Sequence, residues 1–476
     1  MTRASRPPAA SHSSTGRVHL VGIGGIGTSA LASILRARNV EVSGSDLQVS
    51  AITDRLAAQG VQITIGHRAD LVDGAARVVI SDAIKEDNPE RQRARAQGIR
   101  LQRRSELLGE LAADYRLIAV SGTHGKTTMT AMIGLALVAG GLDPTVALGG
   151  DYGPLGGNAR VGRGEWMVVE ACEAYESFLD LHPEIAVVTN LEPEHLDHHG
   201  TFAHLRESFA TFLGQVRPGG CAVLCADRPE LRELATSVSH AVVWYGTEEG
   251  AAVRGRGLST DHSGGRCSLW LSGVEAGELT VGAPGLHNLM NALGAVAAAT
   301  QTGVEVPACL RALGGFRGVE RRFQVLGEAN EVTVLDDYAH HPTEIGATLA
   351  AARSAFPGRR LIAVFQPHLY SRTRDFAEGF ASALSAADVV VLTDIYPARE
   401  APLPGVAVGI ITAPLRKLRG QDVVLELPKE KMVTNIVAMV RPGDVILMMG
   451  AGDIGEVAHV VYRELAEQAA KRQSQG

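Results

Sequence analysis

The feature that most constrains this chain is an apolar stretch that runs into a short glycine loop and out into a helix. Residues 116–137, "RLIAVSGTHGKTTMTAMIGLAL", read as a buried strand, a turn and a helix. Gly122 and Gly125 bracket Thr123 and His124, and Lys126, Thr127 and Thr128 open the helix. Successive backbone N–H groups at a helix N-terminus bind phosphate, and glycines let the chain turn tightly enough to present them. Lys126 supplies a point charge for β/γ-phosphates, and Thr127 a hydroxyl for Mg²⁺. The usual spacing, G-x-x-x-x-G-K-[ST], asks for a glycine where this chain has Val120. The stretch is either a shortened phosphate cradle or a capped helix with a surface lysine. The order strand, loop, helix favours the cradle.

A second glycine loop lies near the N-terminus. In "RVHLVGIGGIGTSALASILRARN" a strand at 18–21 meets Gly22, Gly24, Gly25 and Gly27 in G-x-G-x-x-G spacing, and a helix follows. Such a turn lets backbone approach a diphosphate at the helix N-terminus. Asp46 ends the next strand, where an acid reads a ribose. UDP offers the same pyrophosphate and ribose as NAD, so the motif does not separate them.

Strands and helices alternate along most of the 476 residues, a length that predicts two or three domains. The pattern predicts a tail over 1–15 of disordered composition, with no secretory apolar region, and an α/β domain over 16–112. A second α/β domain spans 113–315, with strands at "EWMVVE", "IAVVTN" and "CAVLCAD". Its shorter, polar-alternating segments between 240 and 285, "HAVVWYG", "GRCSLWLSG" and "GELTVGAP", predict an antiparallel annex. A third α/β domain covers 316–476. The net charge of -7 argues against a nucleic-acid groove or a membrane-surface patch. No apolar run approaches the roughly 18 residues of a membrane span. Five cysteines without a C-x-x-C pair fit a reducing, cytoplasmic compartment.

Chemistry-bearing residues gather where strands end. Glu170 closes an apolar strand and is placed to hold Mg²⁺. "TNLEPEHLDHHG" crowds His195, Asp197, His198 and His199 into one loop in no trusted zinc spacing, so His195 reads as a Mg²⁺ and phosphate neighbour. "DDYAHHP" ends a strand with Asp336 and Asp337, then His340 and His341. Arg372 and Arg374 in "RTRD" follow another strand and read as carboxylate or phosphate clamps.

Together, "GIGGIGTSALA", "SGTHGKTT", "EACE", "TNLEPEHLD", "HNLMNAL", "GVERRFQ", "DDYAHHPTEI" and "QPHLYSRTRD" resemble the Mur ligases over residues 17 to 465. In that family G-T-H-G-K-T-T is the form the phosphate loop takes. The resemblance implies a three-domain enzyme: a Rossmann-like N-terminal domain for the UDP-sugar, a central P-loop ATPase domain, and a Rossmann-like C-terminal domain for the amino acid. In detail it is nearest the members that join L-alanine to UDP-N-acetylmuramate. ATP phosphorylates the lactyl carboxylate, and the amine attacks the acyl phosphate. The implied ATP-binding set is Gly122, Thr123, His124, Gly125, Lys126, Thr127, Thr128, Asn288, Asn291, Arg322 and Asp337. The implied Mg²⁺ set is Thr127, Glu170 and His195, and Lys126, Glu170, His195, Arg322 and Asp337 would be catalytic. Gly22, Gly24, Gly25, Gly27, Asp46 and Ser81 would bind the UDP-sugar. His340, His341, His368 and Arg372 would bind alanine. The assembly would be a monomer or homodimer without nucleic acid.

Three positions depart from the family pattern. Cys172 replaces an acid, with Glu173 beside it to compensate. Leu369 replaces an arginine, which leaves Arg372 the larger share of an alanine carboxylate. Glu194 replaces an aspartate. Competing readings are a nicotinamide-dependent dehydrogenase, which leaves "GTHGKTT" and "DDYAHHP" unused, a ligase for a whole murein tripeptide, and a non-catalytic nucleotide-binding regulator.

Overall fold

The computed structural model describes residues 16–398 and 400–475. The expected tail over 1–15 lies outside the described residues. The chain forms three sheets with helices packed between successive strands, the three-domain α/β architecture.

The first sheet holds β1 (Val18–Val21), β2 (Val42–Asp46), β3 (Gln62–Ile65), β4 (Arg77–Ile80) and β5 (Arg100–Arg103), ordered β3-β2-β1-β4-β5. Every pairing is parallel. β1 is buried along its whole length, which is why its apolar run does not alternate. From β1 the chain turns out to β2 on one side and later returns to β4 on the other. The loop after β1 therefore sits at the switch point, where open α/β sheets take their ligands.

The second sheet comprises β6 (Arg116–Ser121), β7 (Thr145–Ala147), β8 (Ala159–Arg160), β9 (Trp166–Glu170), β10 (Ile185–Val188), β11 (Cys221–Cys225), β12 (Ala241–Gly246), β13 (Val253–Asp261), β14 (Gly264–Leu271) and β15 (Val274–Val281). Its order is β15-β14-β13-β12-β11-β10-β6-β9-β7-β8. β6 lies between β10 and β9, parallel to both, so its C-terminal loop is again at a switch point. The annex is smaller than its sequence suggests. "HAVVWYG" forms β12, which pairs with β11 in parallel from Ala241 to Tyr245. The helix Pro229–Ala235 provides the crossover a parallel pair needs. β13, β14 and β15 are joined by two-residue turns, and links that short connect antiparallel neighbours. Ser272 and Gly273 both have positive φ, +47° and +84°, as a tight hairpin turn demands.

The third sheet holds β16 (Gln324–Ala329), β17 (Val332–Asp337), β18 (Leu361–Phe365), β19 (Val389–Leu392), β20 (Val424–Glu426) and β21 (Val445–Met449), ordered β16-β17-β21-β18-β19-β20. Only β16 runs antiparallel to its neighbour. Alternation along the strands builds one core layer from Leu335, Ala363 and Leu447 and another from Val334, Ile362 and Ile446. It also sends Asp336 and Asp337 to opposite faces.

The chain divides into two compact units. One holds the chain up to Gly257 with Ser268–Leu279 and Met290–Gly315; the other holds Leu258–Cys267, Thr280–Leu289 and the chain from Phe316 onward.

Candidate active site

In the first unit the helix Ile26–Ala37 begins at Gly25 with no side chain capping its N-terminus. Its first N–H groups remain available to an anion. Gly22 takes φ +74°, and the Gly24 N–H donates to Asp46 Oδ2 at 2.8 Å. The other Asp46 oxygen accepts from Leu47 N–H at 2.7 Å. Asp46, expected to read a ribose, thus also ties its strand end to the glycine loop. A Cβ on Gly27 would lie 2.8 Å from Arg104 Nη1, so the guanidinium rests on that glycine. Arg104 escaped the sequence reading because no motif marks it.

A cleft of about 310 Å³ opens here. Gly22, Gly25, Gly27, Ser81 and Arg104 line one part, and Gly149, Glu170 and Cys172 line another. Its two walls are tied together. Asn158 Nδ2 donates to Ile26 O at 2.6 Å and Ser29 Oγ at 2.8 Å, and Arg55 Nη2 donates to both Asp151 oxygens at 2.8 and 2.9 Å. A diphosphate at the glycine loop and an acid at the Glu170 end fit one elongated ligand.

The loop after β6 is a tight turn that only glycine takes without strain. Gly122 has φ +126° and Gly125, the N-cap of the helix Lys126–Ala139, has φ +83°. No side chain caps that helix either. The turn is pinned from the β10 side: His124 N–H donates to Asn190 Oδ1 at 2.9 Å, and Thr189 Oγ donates to His124 O at 2.6 Å. Thr123 Oγ accepts the Glu192 N–H at 2.8 Å, and His124 Nε2 lies 3.4 Å from Glu192. Asn291 packs on the turn, with its Oδ1 2.7 Å from where a Gly125 Cβ would sit. Asn288, one turn earlier on the helix Leu286–Thr300, is buried and donates to Pro284 O at 2.7 Å. Thr127 and Thr128 are buried in the first turn of Lys126–Ala139.

Lys126 Nζ donates to Gly122 O at 2.6 Å, Thr123 O at 3.0 Å and Glu173 Oε1 at 3.0 Å. Burial pulls its pKa down, but the carboxylates of Glu173 and Glu170 outweigh it and leave the ammonium above its ordinary range. The lysine is therefore a permanent cation. Burial pushes the Cys172 thiol up to about 11, so this replacement for an acid is neutral. Glu170 Oε2 accepts Gly149 N–H at 2.9 Å. His195 adopts φ +52°, a costly conformation for a non-glycine residue, and its Nε2 lies 3.6 Å from Glu173 Oε1. The side chain of Glu173 is 1% exposed and its Oε2 is buried without a hydrogen-bond partner. That orphaned oxygen, the Thr127 hydroxyl, the Glu170 carboxylate and the His195 imidazole are of the donor chemistry that a hard divalent cation such as Mg²⁺ takes.

The second unit carries the remaining expected residues. Asp337 Oδ2 accepts Phe323 N–H at 2.6 Å and Oδ1 accepts Ala339 N–H at 2.7 Å. Burial raises its pKa to about 6 against the pull of Arg322. Arg322 lies over the Tyr338 ring at 4.9 Å and 3.9 Å from Glu344. Asp337 thus orders the loop that presents Arg322. His340 Nδ1 lies 2.9 Å from Tyr338 O, and its ring meets His368 edge-on at 6.0 Å. His341 caps the helix Pro342–Ala355 and packs against Phe376. Arg372 Nη1 donates to His368 Nδ1 at 3.1 Å, and His368 stacks on Tyr396. His340, His368 and Arg372 thus form one group, whereas His341 is turned to a capping role. Leu369 is buried at φ +69°. Sequence reading passed over "GAGDIG", which repeats the G-x-G-x-x-G spacing after β21. A Cβ on Gly452 would meet Gln366 and Tyr396, and one on Gly455 would meet Arg321 and Asp336, so side chains pack closely on these glycines too.

The comparisons with known proteins agree with this geometry. A model of the Mur ligase family, catalytic domain, matches residues 17–116; one of the Mur ligase middle domain matches 120–299; one of the Mur ligase, glutamate ligase domain, matches 321–452. The UDP-N-acetylmuramate–L-alanine ligase of Symbiobacterium thermophilum is 46% identical over 96% of this chain and 96% of its own. The solved structure of the UDP-N-acetylmuramate–alanine ligase of Thermotoga maritima superposes with a TM-score of 0.81 at 29% identity, covering 95% of this chain and 100% of that one. A murein peptide ligase of Psychrobacter arcticus shares the fold, with a TM-score of 0.73 at 24% identity over 95% and 99% of the two chains. Three consecutive domain matches and a full-length relative at this identity leave one conclusion: the chain belongs to the Mur ligase family.

Proposed function

We propose that this chain is an ATP-dependent ligase that joins L-alanine to the lactyl carboxylate of UDP-N-acetylmuramate, an early step of peptidoglycan synthesis. The observation that carries the reading is the cleft that runs from the Gly22–Gly27 loop to Glu170 and Cys172, where the Glu170 carboxylate acts on Lys126 of the second glycine loop. A diphosphate held at one end directs a sugar-borne acid to the phosphate-binding end.

In this reading the open N-terminus of Lys126–Ala139 and the Lys126 ammonium bind the triphosphate of ATP. The lactyl carboxylate oxygen attacks the γ-phosphorus, the bond to ADP breaks, and an acyl phosphate forms. The amine of alanine then attacks the acyl carbon, inorganic phosphate leaves, and the amine proton passes to solvent. Thr127, Glu170 and His195 would hold Mg²⁺, which would supply charge neutralisation between two anions that otherwise repel. Lys126 and the loop N–H groups carry the rest of that charge. Gly22, Gly24, Gly25, Gly27, Asp46 and Ser81 take the UDP-sugar, with Arg104 as an added cation. Asn288, Asn291, Arg322 and Asp337 serve the nucleotide, and His340, His368 and Arg372 serve alanine, with His341 capping the helix beside them. Among the described residues no helix is long and apolar enough to cross a membrane. Cytoplasmic nucleotide substrates and five free cysteines suit a cytoplasmic enzyme.

The test is phosphate release from UDP-N-acetylmuramate and Mg·ATP with L-alanine, with other amino acids, and with the tripeptide L-Ala-γ-D-Glu-meso-diaminopimelate. L-Alanine is expected to give by far the highest kcat/KM. Preference for the tripeptide, or no release with any acceptor, overturns the proposal.

A further inference from the structure

The three donors of Lys126 are all engaged, two by carbonyls of its own loop and one by Glu173. An ammonium has only three. A phosphate oxygen can be contacted only if one acceptor yields. The carbonyls are fixed by the positive-φ turn at Gly122 and the bonds that pin it, so the side chain of Glu173 is the acceptor free to yield. Among the described residues Glu173 is also the carboxylate ion-paired with the lysine, and it competes with an incoming polyphosphate for the same cation. Once separated from Lys126 it would be a carboxylate of 1% exposure, with one oxygen 3.6 Å from His195 and the other without a partner. Burial of such a group is costly unless a cation replaces the lysine.

We propose that Glu173 is a positioning residue that couples nucleotide and cation: it holds Lys126 back from a polyphosphate until a divalent cation takes its carboxylate. The residue fits the task because Lys126, assigned to the phosphates, and His195, assigned to the cation, both meet its Oε1, while its Oε2 is buried without a partner. By linkage, cation and nucleotide each raise the other's affinity by the same factor through this side chain. The inference rests on the reading of the second glycine loop as the nucleotide site.

The experiment is calorimetric titration of the full chain with ADP, once in EDTA and once with Mg²⁺, for the parent and Glu173→Gln. Glutamine keeps the shape and removes the charge. The variant is expected to bind metal-free ADP roughly tenfold or more tightly than the parent, because Lys126 is released. The gain in affinity from Mg²⁺ is expected to shrink by at least about tenfold. A purely structural role would weaken both titrations together, and that result overturns the proposal, as does an unchanged Mg²⁺ gain. If Glu173→Gln melts without a cooperative transition, Glu173→Asp takes its place. It keeps the charge but withdraws it by one methylene, and metal-free ADP affinity must still rise; no rise refutes the coupling. A parent chain that binds no ADP under either condition overturns the nucleotide-site reading instead.

Discussion

Replacing Gly122 by alanine is the sharpest test of the phosphate loop. The residue sits at φ +126°, and an added Cβ would lie 2.1 Å from Thr189 Oγ and 3.0 Å from Asn190 O and Thr189 N. Thr189 cannot swing aside freely, because its hydroxyl donates to His124 O at 2.6 Å. The backbone conformation alone costs an alanine about 1–3 kcal/mol. Breaking the Thr189 bond costs about another 1 kcal/mol, and the two backbone contacts must widen as well. The total is roughly 2–5 kcal/mol against a typical domain stability of about 5–15 kcal/mol. The variant should fold, melt roughly 5–15 °C lower, and bind ADP with at least about 10²-fold lower affinity, since the array of N–H groups moves. Gly153→Ala is the control: its Cβ meets nothing within 4 Å and its φ is ordinary, so stability should change by less than about 0.5 kcal/mol. Thermal melting and ADP titration of the two variants give the answer. A Gly122→Ala protein with the melting point and ADP affinity of the parent would refute the reasoning.

Three further outcomes are expected. Lys126→Ala should lower turnover by roughly 10² or more at saturating substrates, measured by phosphate release; near-normal turnover removes the lysine from the reaction. Arg372→Ala should raise the KM for alanine by roughly 10–10²-fold with a smaller change in kcat, since a charge-assisted bond to a carboxylate is lost; an unchanged KM frees Arg372 of that role. His287 is half-buried near Arg322, and desolvation first and the guanidinium second lower its pKa to about 4. Because the folded value lies below the unfolded ~6.5, its contribution is whole above that pH and fades as pH falls toward 4. His287→Gln should therefore lose about 1–2 kcal/mol less than the parent between pH 7 and 5 in urea unfolding, and equal losses would contradict the assignment.

Both glycine loops were legible in the sequence because steric demand dictates their residue types. Only glycine accepts φ +126° at 122 without strain, and a strand before with a helix after leaves the loop one place to go. Spacing has limits, however. "GAGDIG" carries the same signature at 450–455, where Gln366, Tyr396, Arg321 and Asp336 pack on its glycines. A pattern encodes a turn and says nothing of what distant side chains put into it. The parallel pairing of β12 was hidden for a related reason. Its short run, Ala-Val-Val-Trp-Tyr, looks the same in a parallel or an antiparallel pair, and the crossover helix before it is what decides the pairing. Glu173 was flagged beside Cys172, but its partnership with Lys126, 47 residues away, has no local signature. Strained backbone at Tyr175 and Glu176, φ +53° and +55°, shapes the segment that follows it, and no residue preference announces that. The expected ribose reader Asp46 likewise showed its bond to Gly24 only in three dimensions.

The account's central claim is that the turn at Gly122–Thr128 grips a triphosphate beside a cleft that presents a sugar-borne acid. A crystal structure of the chain with a non-hydrolysable ATP analogue, Mg²⁺ and UDP-N-acetylmuramate tests it most directly. The account predicts the terminal phosphates against the N-terminus of Lys126–Ala139, with the Lys126 ammonium on them and the lactyl carboxylate at the Glu170 end of the cleft. Phosphates bound elsewhere, with the Lys126 loop bare, would contradict it.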